Sequence, residues 1–109
     1  MDIIVKQGVI FKRITYPIYR VLGILFDVSN MLGKQMVITS ANDSKHKENS
    51  LHYKDLAIDI RIRHLEQDEI QLVLNYLRKK LGEDYDVILE SDHIHIEYDP
   101  KTYVSGVGK

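Results

Sequence analysis

Four of the chain's five histidines fall in two short segments, His46 with His52 and His93 with His95, while His64 stands apart. If residues 93–98 form a strand, its period of two sets His93, His95 and Glu97 on one face and Ile94, Ile96 and Tyr98 on the other. Two neighbouring imidazoles are costly to bury unless they share a metal, an anion or a hydrogen-bond network. Asp59, flanked by Ile58 and Ile60, asks for a partner in the same way. The chain has no cysteine, so any metal site must be built from His, Asp and Glu. A catalytic zinc needs three protein ligands and an open position for water. His52, Asp59 and one of His93 or His95 supply such a set, and Glu90 is a nearby carboxylate able to act as base. Zinc would lower the pKa of its water, while Glu90 takes the proton and passes it to a leaving amine. The plainer alternative is a group of surface histidines beside ordinary salt bridges.

The elements that must position these groups are legible from periodicity. Residues 16–32 carry Ile18, Val21, Leu22, Leu25, Val28 and Leu32 at helical spacing, with Pro17 suited to the first turn and Gly33 to the end. Residues 36–40 (MVITS) predict a short strand, and the polar residues 41–50 a loop. In residues 56–62, Leu56, Ile58, Ile60 and Ile62 alternate with Ala57, Asp59 and Arg61, which predicts a strand burying one face. Residues 66–81 form an amphipathic helix with Ile70, Val73, Leu74, Leu77 and Leu81 inward and Gln71, Asn75 and Arg78 on the wet side. Residues 85–90 and 93–98 then read as two strands joined at Ser91-Asp92. The order predicts an α+β fold with a mainly antiparallel sheet and two main helices. Residues 1–109 read as one domain, with a flexible tail from about residue 102.

Composition narrows the function. Fifteen Lys+Arg against sixteen Asp+Glu give a formal charge of −1, with no basic excess to attract nucleic acid or an anionic membrane. No apolar run is long enough for membrane insertion, and the first residues lack the order of a secretory signal, so synthesis in the cytoplasm without a signal peptide is expected.

Two motifs carry a family likeness. Ser50-Leu-His-Tyr-Lys-Asp-Leu-Ala-Ile-Asp59 resembles the Ser-x-His-x-x-Gly-x-Ala-x-Asp motif of the zinc D-Ala-D-Ala carboxypeptidase family, matching at Ser50, His52, Ala57 and Asp59. That family includes vancomycin-resistance dipeptidases, phage peptidoglycan endopeptidases and the fold-related hedgehog signalling domain. Glu90-Ser-Asp-His-Ile-His95 resembles its C-terminal motif, a catalytic carboxylate ahead of a zinc-binding histidine. The likeness spans roughly residues 34–99 and implies a hedgehog/D,D-peptidase-like fold with a zinc site on the sheet.

The resemblance implies one Zn2+ per chain, held by His52, Asp59 and His95. It implies Glu90 as general base and acid, with Asp92, three residues before His95, as its rival. His93 becomes a neighbour that hydrogen-bonds the oxyanion or bound water. His46 occupies the place of a further active-site histidine in hedgehog-like members, and Ser50 orients the site from behind the ligands. Two positions depart from the pattern. Asp55 replaces the motif glycine, and Ser40-Ala-Asn-Asp43 lacks the arginine with which many carboxypeptidases of the family grip a substrate carboxylate. Lys45, Arg61 or Arg63 could substitute. The expected activity is hydrolysis of an amide bond in peptidoglycan stem peptides, of carboxypeptidase or endopeptidase type, by a monomer reaching the cell wall through a phage-type release route. The alternative is a non-catalytic zinc domain of the same fold acting as a binding module.

Overall fold

The computed structural model describes residues 2–41 and 56–100. Five strands and two main helices follow in the order β1 (Ile3–Val5), α1 (Tyr16–Leu32), β2 (Met36–Ser40), β3 (Ala57–Arg61), α2 (Gln67–Leu81), β4 (Tyr85–Leu89) and β5 (His93–Tyr98), with a 3-10 turn at Gly82–Asp84 before β4. The strands make one sheet in the order β1-β2-β3-β5-β4. The architecture is α+β, and the sheet is mixed: β1 runs parallel to β2, and every other pair is antiparallel. Strand β1 was not among the predicted elements. Three β-branched residues are too few to show a period, and their place is fixed by β2 alongside. The tail from about residue 102 lies outside the described residues.

Both helices cover the same face. Ile18, Val21, Leu25 and Val28 of α1 and Val73, Leu74 and Leu77 of α2 join Met36, Ile38, Ile58, Ile60, Ile94 and Ile96 of the sheet in one buried cluster. The alternation in β3 and β5 thus works as expected: aliphatic residues go under the helices, and Asp59, Arg61, His93, His95 and Glu97 go to the open face. No helix among the described residues is long and apolar enough to cross a membrane.

Polar ties hold the helices to the sheet. α1 ends at Gly33, whose left-handed φ of 66° suits a residue without Cβ. Fully buried Ser29 donates its hydroxyl to Lys34 O at 2.6 Å and also lies 3.3 Å from Asp2 O, joining the helix end to the chain before β1. α2 begins with a capping box in which Glu69 accepts the Glu66 N–H at 2.7 Å. Glu69 also pairs with Lys34 at 2.6 Å, and these contacts hold its carboxyl below the usual range. Arg78, on the wet side of α2, reaches over to donate Nη2–H to Val87 O at 2.8 Å, so this exposed cation clamps α2 to β4. Tyr85 donates to Pro17 O at 2.9 Å, linking β4 to the start of α1.

Since Ile96 is fully buried beneath both helices, Ile96→Ala should cost about 2–5 kcal/mol in urea unfolding. A loss below about 0.5 kcal/mol, typical of surface changes, would contradict the face assignment of β5 on which the site depends.

Candidate metal centre

The open face is organised by strand register. β3 and β5 pair with Ala57 opposite Glu97, Asp59 opposite His95 and Arg61 opposite His93. β4 adds Asp86 opposite Glu97 and Ile88 opposite His95. The hairpin turns at Ser91-Asp92, as the sequence predicts, with Glu90 N–H donating to His93 O at 2.8 Å. On the other side of β3, two β2 residues, Thr39 and Ser40, are set against Asp59 alone between the Ile38–Ile60 and Ser40–Asp59 pairs. Such a bulge bends the strand and re-aims its side chains, a feature common beside functional sites.

At the centre, His95 Nδ1 lies 2.7 Å from Asp59 Oδ1 and His95 Nε2 lies 3.0 Å from Glu97 Oε1. Both acceptors are carboxylates, so both ring nitrogens carry protons and the metal-free ring is an imidazolium. Its pKa is pushed up to about 9, first by the hydrogen bond to Asp59, against burial that opposes the charge, and then by Glu97. His93 lies beside it: Nδ1 donates to Asp92 Oδ1 at 2.7 Å, and Nε2 stands 3.7 Å from Asp59 Oδ2. The His93 contact holds the Asp92 carboxyl below its usual range. Side chains of Asp59, His93, His95 and Glu97 are 22–29% exposed. They are screened enough to interact strongly, yet remain open to a ligand from the free side of the sheet.

The structure therefore brings together Asp59 and His95, two of the three expected ligands, from positions 36 residues apart. The third, His52, lies outside the described residues, as do His46, Ser50 and Asp55. Among the described residues no three His, Asp or Glu side chains form a ready-made ion cage. The donor chemistry at the two described positions nevertheless fits zinc, which takes imidazole nitrogen and carboxylate oxygen. A cation shared by Asp59 and His95 would replace the proton now between them. Glu97 would then hold the other ring nitrogen, an arrangement common behind metal-bound histidines. The strand period places Glu97 on this face, and its contact with His95 is visible only in the structure; the His-x-Glu spacing is the one signal for it in the sequence.

The candidate bases differ in setting. Asp92 touches His93, whereas Glu90 is exposed, and its side chain makes no hydrogen bond or ion pair with the described residues. By register Glu90 lies across the hairpin from His93, on the same face.

No protein-family model and no curated protein matches this chain.

A raised histidine pKa stabilises the fold while the ring is charged. For the metal-free chain, the contribution of the His95 charge should be complete below the ordinary value of 6.5 and fade as pH rises through about 9. Urea unfolding of the chelator-treated chain and its His95→Gln variant should show a stability gap that narrows across that window. A gap independent of pH would contradict the charged pairing.

Proposed function

We propose that this protein is a zinc-dependent metallopeptidase that hydrolyses an amide bond in peptidoglycan stem peptides. The observation that carries the reading is the cross-strand contact of Asp59 with His95 at 2.7 Å. It joins one residue from each of the two motifs that resemble the zinc D-Ala-D-Ala carboxypeptidase family, and it does so at the two positions expected to share an ion.

Asp59 and His95, with His52, would hold the metal, and Glu97 would fix the His95 ring through its second nitrogen. Zinc, when bound, supplies a Lewis acid that makes water acidic near neutral pH and polarises a carbonyl. Glu90 takes a proton from the attacking water as the new C–O bond forms. It then delivers that proton to the amide nitrogen as the C–N bond breaks, so the leaving group departs as an amine. His93, with Nδ1 committed to Asp92, turns its other nitrogen toward the Asp59 side of the face, where it can steady the developing oxyanion.

The exposed, uncontacted carboxylate of Glu90 favours a second reading, a zinc domain of this fold that binds its ligand without cleaving it. Purified cell-wall fragments incubated with the zinc-loaded chain separate the two, since the binding module releases no product.

Glu90→Ala should lower muropeptide cleavage by about 10²–10⁴-fold, the usual share of general acid–base catalysis, while zinc content stays near one per chain. Undiminished cleavage would remove Glu90 from the mechanism and transfer its role to Asp92.

A further inference from the structure

The outer side of the helix layer, remote from the sheet, is short of charge. Of the 17 residues of α1 only Arg20 and Asp27 are charged, and Arg20 is engaged, donating Nη2–H to Lys80 O at 3.3 Å and lying over the Tyr85 ring. The outward positions of α1 instead carry Tyr19, Phe26 and Met31, which are 65%, 46% and 49% exposed. A helix facing water normally sets charged residues on that side, and a contiguous apolar patch marks a surface that something covers. Arg20 near the start of α1 reaches Lys80 near the end of α2, so the two helices run antiparallel, side by side. At the other end of the pair, Met31, Leu72 and Tyr76 line an open groove of about 710 Å³. Leu72, on the side of α2 away from the core, is 41% exposed. The polar residues of the groove suit a covered surface too. Gln71 donates Nε2–H to Asn75 Oδ1 at 3.1 Å, so the two amides partly satisfy each other when water leaves. Asp68 stands at one end of the groove and Lys79 at the other, about three turns along one face of α2. Among the described residues neither is in an ion pair.

We propose that this face is the contact between two copies of the chain in a homodimer, α2 of one protomer lying antiparallel on α2 of its partner. The placement of charge selects that occupant. In a two-fold contact each patch meets itself, so the patch must be self-complementary. A face with an acid at one end and a base at the other meets that requirement when turned end for end. Asp68 then comes to the partner's Lys79, and Lys79 to the partner's Asp68. The axis crosses α2 midway between them and brings Leu72 of both copies to the centre, with Tyr76 and Met31 beside it. The charge pairs at the rim fix the direction, and the apolar residues between them supply the affinity. Two helices side by side, each about 25 Å long and about 10–12 Å wide, offer on the order of 500 Å² per copy. A pair then buries about 1,000 Å², the lower bound for a specific interface. The dimer is accordingly weak and reversible, with a Kd on the order of 10 μM. It takes the place of the monomer expected from the sequence. Because the helices cover one face of the sheet only, both open faces, with Asp59 and His95, stay turned outward and accessible.

Sedimentation equilibrium of the full-length chain, zinc-loaded and chelator-treated, tests this over concentrations from about 1 μM to about 1 mM. The mean mass should rise from 12.7 kDa toward twice that value, and equally in both samples, because no metal bridges the copies. Leu72→Glu, an exposed position, should weaken association about tenfold or more. Asp68→Lys and Lys79→Asp should each weaken it about fivefold, since each sets like charges together at both ends of the contact. Mixing these two charge variants should restore association, because each then meets opposite charge on the other at both ends. Native folding of each variant is checked by its amide NMR spectrum. A mass fixed at 12.7 kDa throughout overturns the proposal and leaves the groove to a partner of different sequence. A dimer indifferent to Leu72→Glu overturns it as well, since the copies then meet elsewhere. Association that the mixture of charge variants fails to restore overturns the antiparallel pairing of α2. Should a variant misfold, the wild-type chain still decides. Its amide shifts should move with concentration on the outward sides of α1 and α2 and stay fixed on β3 and β5, and the reverse pattern overturns the proposal.

Discussion

The open face of the sheet is organised by one contact, the bond between Asp59 on β3 and His95 on β5. Its formation is a consequence of packing on the opposite face. Ile58 and Ile60 sit opposite Ile96 and Ile94, all buried under α1 and α2, and this aliphatic contact opposes a one-residue slip of the strand pair. A slip by one residue would turn one strand over relative to the other, burying either Asp59 or His95 and putting that strand's isoleucines into water. The helices therefore hold the site in place without touching it, and the apolar core supplies the rigidity that a binding constellation needs.

The same contact explains why the metal-free chain can hold charged groups together on a partly screened surface. His95 stands between Asp59 and Glu97 as a doubly donating cation, so the acids that would repel each other are bridged by a proton-bearing ring. A divalent cation bound at this place would exchange one positive partner for a stronger one, and its binding would release protons. Glu97 and Asp86 lie toward one end of the sheet, and Arg61, Arg63 and Lys6 toward the other, together with the acids Glu90 and Asp92.

Much of this was legible in the residues themselves. Both helices, strands β2 to β5 and the Ser91-Asp92 turn follow from strong periodicity and punctuation, and the alternation around Asp59 and His95 already assigned them to one side of their strands. What periodicity could not supply was pairing. The parallel addition of β1 depends on β2 and on the Ser29 contacts near Asp2, none of which leaves a local signature. The sheet is mainly antiparallel as expected, and its one parallel pair is this edge strand with β2. Likewise, Lys6 could not be grouped with Arg61 and Arg63 without knowing that β1 returns to the sheet. The clamp role of Arg78 was hidden because an exposed helical arginine looks the same whether or not it meets a neighbouring carbonyl.

The proposed function requires Asp59 and His95 to share one zinc ion with a second imidazole. X-ray absorption at the zinc edge of the loaded chain tests that most directly. It should report two imidazole nitrogens and carboxylate oxygen at about 2.0–2.2 Å, with one imidazole lost in His95→Ala. A spectrum of water oxygens alone, or one that His95→Ala and Asp59→Ala leave unchanged, would contradict it.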